Sequence, residues 1–227
     1  VRKIESDVYI STPNRGVVLY DSGALLLTGA SFAAYYNGWF EIACSKLGTT
    51  AINKAAGSLA IADTANQMRN GTLYTAEEFE QMDALVIMQV HNEDVYFSIN
   101  LRDKWSDYHT DYPIEFDRSD YAAAYDYVIK RYMYECYIQK DNPSSKWYNV
   151  PTGKPCQIVL CTHWHDGRTI YNKSIRKLAR KWGFPLICFD EDIGFTRNEI
   201  SRETGEQISV LFSQDTEIID GVTYGWH

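Results

Sequence analysis

LLLTGASFAAYYNGWFEIACSKLG, residues 25–48, decides the fold. Leu25, Leu26 and Leu27 form an apolar run that reads as a strand filling a core. Gly29 permits a tight turn, and from Phe32 to Leu47 aromatic and apolar residues return at helical spacing. A strand therefore hands over to a helix at Gly29-Ala30-Ser31. The hand-over residue, Ser31, occupies a usual place for a helix N-cap and also for a nucleophile.

The same change of pattern recurs along the chain. Apolar, strand-like runs fall at 17–20, 51–55, 84–90, 157–162 and 185–189, with a weaker one at 209–212. Helix-like stretches lie between most of them, at 32–47, 58–68, 119–140 and 173–182. Ser58 and Ser119 are the expected N-caps of the second and third, and Gly183 is a good stop for the fourth. Strands alternating with helices predict an α/β fold: a three-layer α/β/α sandwich around a mostly parallel sheet of about five strands. The polar, aromatic stretch 100–117 has no clear period and reads as a long loop before the longest helix.

Composition narrows the class. At 227 residues, 45% apolar and 23% charged, the chain reads as one domain over 1–227. It opens on Val1 and closes on His227, which leaves room for a longer parent polypeptide, and compartment stays open, with an extracellular or periplasmic setting compatible. The net charge of −8 and the lack of a dense Lys/Arg stripe argue against nucleic acid as a partner. No apolar run approaches the roughly 20 residues that a bilayer span needs. Five cysteines, an odd number without CxxC spacing, speak against a disulfide scaffold. Oligomeric state is not legible.

In open α/β sheets, sites gather outside the carboxyl ends of strands. Four segments qualify: Gly29-Ala30-Ser31, Ala56-Gly57-Ser58, Val90-His91-Asn92-Glu93 and the terminal Trp226-His227. Acyl transfer needs such parts. A hydroxyl attacks, a His takes and returns its proton, and neutral N–H donors meet the oxyanion.

Taken in order, these blocks resemble the SGNH or GDSL hydrolases. Gly29-Ala30-Ser31 is similar to the nucleophile block, and the helix after it carries Trp39 and SKLG. INKAAGS places Gly57, VHNE places Asn92 and IDGVTYGWH places His227. The resemblance implies a flavodoxin-like sheet and a serine esterase or acylhydrolase that needs no cofactor and no metal. In it Ser31 is the nucleophile, His227 the general base and then acid, and Ser31, Gly57 and Asn92 the oxyanion hole. His91 and His163, each close after a strand, are candidates for contacting substrate.

The sequence departs from the family's pattern at Ala30, where the family has Asp, and at Val90, where it has Gly. Tyr224 stands three residues before His227, where the family has its Asp, so Asp220 is the candidate to orient His227. Two other readings stand beside the esterase. His163 and His165 in CTHWHDGR, with Asp166, suggest a metal-dependent hydrolase. The 17 Tyr and 6 Trp also suit a non-catalytic carbohydrate-binding module on the same fold, and for an esterase they point to a small-molecule or glycan ester, with acetyl removal from a glycan favoured.

Overall fold

The computed structural model describes residues 23–34, 37–89, 121–164, 167, 169–193, 199–219 and 221–225. Five strands form one parallel sheet: β1 (Ala24–Gly29), β2 (Thr50–Asn53), β3 (Met82–Met88), β4 (Ile158–Cys161) and β5 (Leu186–Ile187). Their order is β2-β1-β3-β4-β5, the flavodoxin-like arrangement, with the topological switch between β1 and β3. Leu25 lies beside Ala51 on one side and Ala84 on the other, Leu85 beside Ile158, and Leu160 beside Leu186.

Each strand feeds two cores because successive side chains alternate across the sheet. Leu26, Leu85, Ile87, Ile158 and Leu160 pack on one face. Above them lie α2 (Ile61–Arg69), α3 (Ala76–Gln81), α4 (Tyr121–Ile138) and α5 (Thr169–Trp182). Leu25, Leu27, Ala84, Val86, Met88, Val159 and Cys161 pack on the other, under Phe40 and Cys44 of α1 (Trp39–Leu47). This is the three-layer sandwich expected from the alternating pattern, and its all-parallel sheet is covered on both faces.

Local signals set the helix ends. α1 stops at Gly48 (φ 72°) and α5 at Gly183 (φ 71°), both in the left-handed region where glycine carries no Cβ penalty. α3 starts on a capping box: Thr75 accepts from the Glu78 N–H, and the Glu78 carboxylate accepts from the Thr75 N–H. That helix escaped the hydrophobic periodicity because it is one short, acidic turn and a half around Phe79.

Two expectations are corrected. Residues 209–212 are not a strand: α7 (Ile208–Leu211) stands there, after the short α6 (Phe189–Asp192), its turn closed by the Leu211 and Phe212 N–H groups donating to the Gln207 and Ile208 carbonyls at 3.1 and 3.2 Å. Ser58 does not cap α2. It sits in a turn at φ 63°, and Ala60 is the N-cap, its N–H bound by the Asp63 carboxylate at 2.8 Å. The C-terminal part of the chain adds an antiparallel hairpin of β6 (Thr216–Ile219) and β7 (Val222–Gly225), with Gly221 at a left-handed φ of 80° just before β7. Runs 17–20 and 100–117 and Ser119 lie outside the described residues.

Candidate functional site

Four features meet at the carboxyl end of the sheet, and a fifth holds the C-terminal hairpin in place. The first is Gly29, the last residue of β1. Its φ is not in the left-handed region, so it is glycine for want of space: a Cβ would lie 2.9 Å from the Met88 carbonyl oxygen and 2.9 Å from the Ala33 Cβ. The exits of β1 and β3 are thereby drawn together at the topological switch. Ser31 follows at the head of a tight 3-10 turn, Ser31–Ala33, whose N-cap is Ala30 and has no side-chain cap bond. The N-cap alternative for Ser31 is therefore not realised.

The second feature is the segment after β2. Its Ala56 N–H donates to the Gly29 carbonyl at 3.1 Å. Asn53 Nδ2 donates to the Ala33 carbonyl at 2.9 Å and to Glu41 Oε1 at 2.7 Å, while its Oδ1 accepts from the Ala55 N–H at 2.9 Å. The chain leading to Gly57 thus grips the Ser31 turn on both sides, at Gly29 and at Ala33. Gly57 is exposed, and a Cβ there would meet no described atom within 4 Å. Its φ is not left-handed either.

The third feature is a buried polar chain beneath the exits of β1 and β3. Thr28 and Thr64 share a hydroxyl bond of 2.8 Å, and Gln89 Nε2 donates to Thr64 Oγ1 at 3.1 Å. The Gln89 carbonyl accepts from the phenols of Tyr121 (2.6 Å) and Tyr125 (2.8 Å) of α4. Burial pushes the Tyr125 phenol well up, so it stays a neutral donor at physiological pH. Gln89 directly follows β3, and this clamp holds the exit of that strand in place.

The fourth is the exit of β4. His163 is fully buried and packs edge-on to Phe32 with ring centroids 4.8 Å apart, so it lies against the residue that follows Ser31. Its backbone N–H donates to Asn172 Oδ1 at 2.8 Å. Asn172 Nδ2 donates on to Asp190 Oδ2 (3.0 Å), and Asp190 also accepts from the Thr162 hydroxyl (2.7 Å) and from Arg176 (2.8 Å). Burial works against the Arg176 charge, but Asp190 and Glu191 outweigh it and hold the guanidinium charged. Asp190 is thus the hub that braces the β4 and β5 exits.

The fifth is the brace under the C-terminus. A Cβ on Gly225 would lie 1.9 Å from the Ser209 carbonyl oxygen, so glycine alone lets β7 lie against α7. Tyr224 is buried beside it. Trp226 and His227 follow.

Of the residues singled out in the sequence, Ser31, Gly57 and His163 all stand at strand exits, Ser31 and His163 meeting through Phe32. His91, Asn92, Asp220 and His227 lie outside the described residues, as do His165 and Asp166. Among the described residues no group of three or more His, Cys, Asp and Glu is arranged to hold a metal ion. Sequence reasoning missed Asn53, Gln89 and the Asp190–Asn172–Arg176 network. Their one signal was position, a polar residue at or just past the end of an apolar run.

Strand order and strand-end geometry together define an α/β protein with a flavodoxin-like parallel sheet. The chain belongs to the family described as a domain of unknown function (DUF5040), whose model matches residues 22–227. No curated protein matches it. Among solved structures it is similar to TesA, with 10% identity over 81% of this chain and 88% of that one, at a TM-score of 0.42. It is also similar to a protein from Parabacteroides merdae ATCC 43184 described as a GDSL-like lipase (13%, 78% and 82%, TM-score 0.41). A third is LAE5, an α/β hydrolase enzyme from the metagenome of Lake Arreo, Spain (11%, 83% and 89%, TM-score 0.41). No helix among the described residues is long and apolar enough to cross a membrane.

Proposed function

We propose that this protein is a serine esterase or acylhydrolase. The observation that carries the reading is the place of Ser31: it leads a tight turn directly outside β1, at the β1/β3 switch where open α/β sheets bind ligands. In this reading the Ser31 hydroxyl attacks an ester carbonyl. His227, oriented by Asp220, takes the proton and returns it to the leaving alcohol, and water then releases the acyl group by the same route. The Ser31 and Gly57 N–H groups and the Asn92 amide stabilise the oxyanion. Gly57 supports this role, because neither its backbone angle nor described packing demands glycine, whereas close approach of a substrate to its N–H does.

The substrate we propose is an acetyl ester on a glycan, contacted by His91; His163, first a candidate for substrate contact, is fully buried against Phe32 and would support the Ser31 turn from behind. The aromatic side chains near the strand exits, Phe32, Trp39, Trp164 and Phe189, suit a sugar face. The test is hydrolysis of p-nitrophenyl acetate, then of a panel of acetylated sugars, with mass-spectrometric detection of a fluorophosphonate adduct on Ser31. Ser31→Ala is expected to fold and to lose several orders of magnitude in turnover. Gly57→Ala is expected to keep its melting temperature and lose about 10- to 100-fold in kcat. Chelator is expected to leave turnover unchanged. Near-normal turnover by folded Ser31→Ala would overturn the mechanism.

A further inference from the structure

We infer that Asn53 is a positioning residue that sets the spacing between the Ser31 turn and the Gly57 loop; this rests on the reading of Ser31 as nucleophile and Gly57 as oxyanion donor. A single planar amide has two N–H donors and one carbonyl, and here all three are engaged on three different segments. Nδ2 holds the Ala33 carbonyl, two residues after Ser31, and Glu41 Oε1 on α1. Oδ1 holds the Ala55 N–H, two residues before Gly57. Each bond is between 2.7 and 2.9 Å, and the partners fix the amide's orientation, since the carbonyl and carboxylate demand donors and the N–H demands an acceptor.

The fold does not need this amide to keep β2 in place. Backbone bonds already do so, from Lys54 N–H to the Leu27 carbonyl (2.8 Å) and from Ala56 N–H to the Gly29 carbonyl (3.1 Å). What the amide adds is rigidity across the gap where an oxyanion would sit between the Ser31 and Gly57 N–H groups. Oxyanion stabilisation depends on donors standing about 2.7–3.1 Å from the developing charge, and a displacement of about 1 Å costs on the order of 100-fold. A group that acts only on transition-state geometry lowers kcat and kcat/KM together and leaves KM nearly alone.

Asn53→Asp is the sharp substitution, because it keeps size and shape and turns both donor contacts into oxygen facing oxygen. The experiment measures p-nitrophenyl acetate kinetics, normalised to natively folded protein by circular dichroism, with fluorophosphonate labelling of Ser31 in the wild type. Expected are a labelled, active wild type and an Asn53→Asp variant with kcat down about 100-fold and KM within about threefold. Glu41→Ala frees one of the three anchors from a helix surface; it decides the matter if Asn53→Asp does not fold, and its kcat is expected to fall about three- to tenfold. A labelled, active wild type with unchanged kcat in every variant that folds overturns the role of Asn53. So does a loss confined to melting temperature. A wild type that hydrolyses the ester without labelling at Ser31 overturns instead the nucleophile reading on which this rests.

Discussion

Gly29→Ala probes the link between fold and site most directly. The added Cβ would stand 2.9 Å from the Met88 carbonyl oxygen, 2.9 Å from the Ala33 Cβ and 3.5 Å from the Ala55 Cβ. Carbon atoms rest about 3.5–4.0 Å apart, so the Ala33 contact is short by roughly half an ångström or more. Neither close neighbour can rotate away, since one is backbone of β3 and the other a Cβ fixed to the turn after Ser31. Overpacking of this kind costs about 1–3 kcal/mol. Replacing glycine stiffens the unfolded chain and returns about 0.4–1 kcal/mol. The net is a destabilisation of about 1–2 kcal/mol, which for a domain of this size lowers the melting temperature by about 2–8 °C.

Urea unfolding should show a lower midpoint at unchanged m, the sign of lost stability without a changed unfolded state. Adding Ala33→Gly removes one of the two close contacts and should recover part of the loss, a non-additive result expected of touching residues. Ester hydrolysis should fall with the single change, because relief of the clash moves either the β3 exit or the Ser31 turn. A Gly29→Ala protein that melts at or above the wild-type temperature would refute the close-approach account of this glycine.

Two further predictions concern the supports of the site. Asp190→Ala strips one carboxylate from Thr162, Asn172 and Arg176 and leaves a half-buried guanidinium short of its partner, so unfolding free energy should drop by about 3–5 kcal/mol; a loss under about 1 kcal/mol in urea titration would mean the network does not brace the β4 exit. Glu78 is the pH-sensitive case. Burial opposes its charge, but the Lys54 ammonium at 2.6 Å and the Thr75 N–H outweigh this and hold the carboxyl below its ordinary 4.5. A depressed folded-state value gives stability that is present above the unfolded value and lost as pH falls through the folded one. Glu78→Gln should therefore cost up to about 1 kcal/mol at pH 7, and the gap between variant and parent should close below about pH 4; a gap that persists at pH 3 would count against the assignment.

How much of this was legible in the sequence depends on whether a feature is local. The run Leu25–Leu27, the helical spacing of α1 and the glycine stops at Gly48 and Gly183 are written in consecutive residues, and the layered fold followed from them. Ser31 was legible because a strand-to-helix hand-over is itself a local pattern. The bonds that fix the site are not local. Asn53 reaches 20 residues back to Ala33, Tyr125 reaches 36 back to Gln89, and Asp190 reaches 28 back to Thr162. A polar residue at a strand end announces that it will be bonded, but not to what. The hairpin of β6 and β7 was not legible, since its strands are only four residues each and mix polar and apolar residues without a clear alternation.

Two glycines show the difference between what a fold demands and what chemistry demands. In the sequence Gly29 and Gly57 look alike, each just past an apolar run. In the structure they are opposites. At Gly29 the protein itself fills the space a Cβ would take, so any larger residue displaces β3 or the Ser31 turn. At Gly57 the space is open among the described residues, the backbone angle is one any residue adopts, and the next residue, Ser58, carries the left-handed φ of that turn without being glycine. A small residue kept where the fold asks for none exposes its backbone N–H to whatever comes from outside. Asn53 steadies that N–H from one side and the Ser31 turn from the other, so the two points an acyl group would touch are held by a single amide. In the proposed mechanism, rigidity is therefore concentrated where an oxyanion would form, while among the described residues nothing covers Gly57 on the side a substrate would approach.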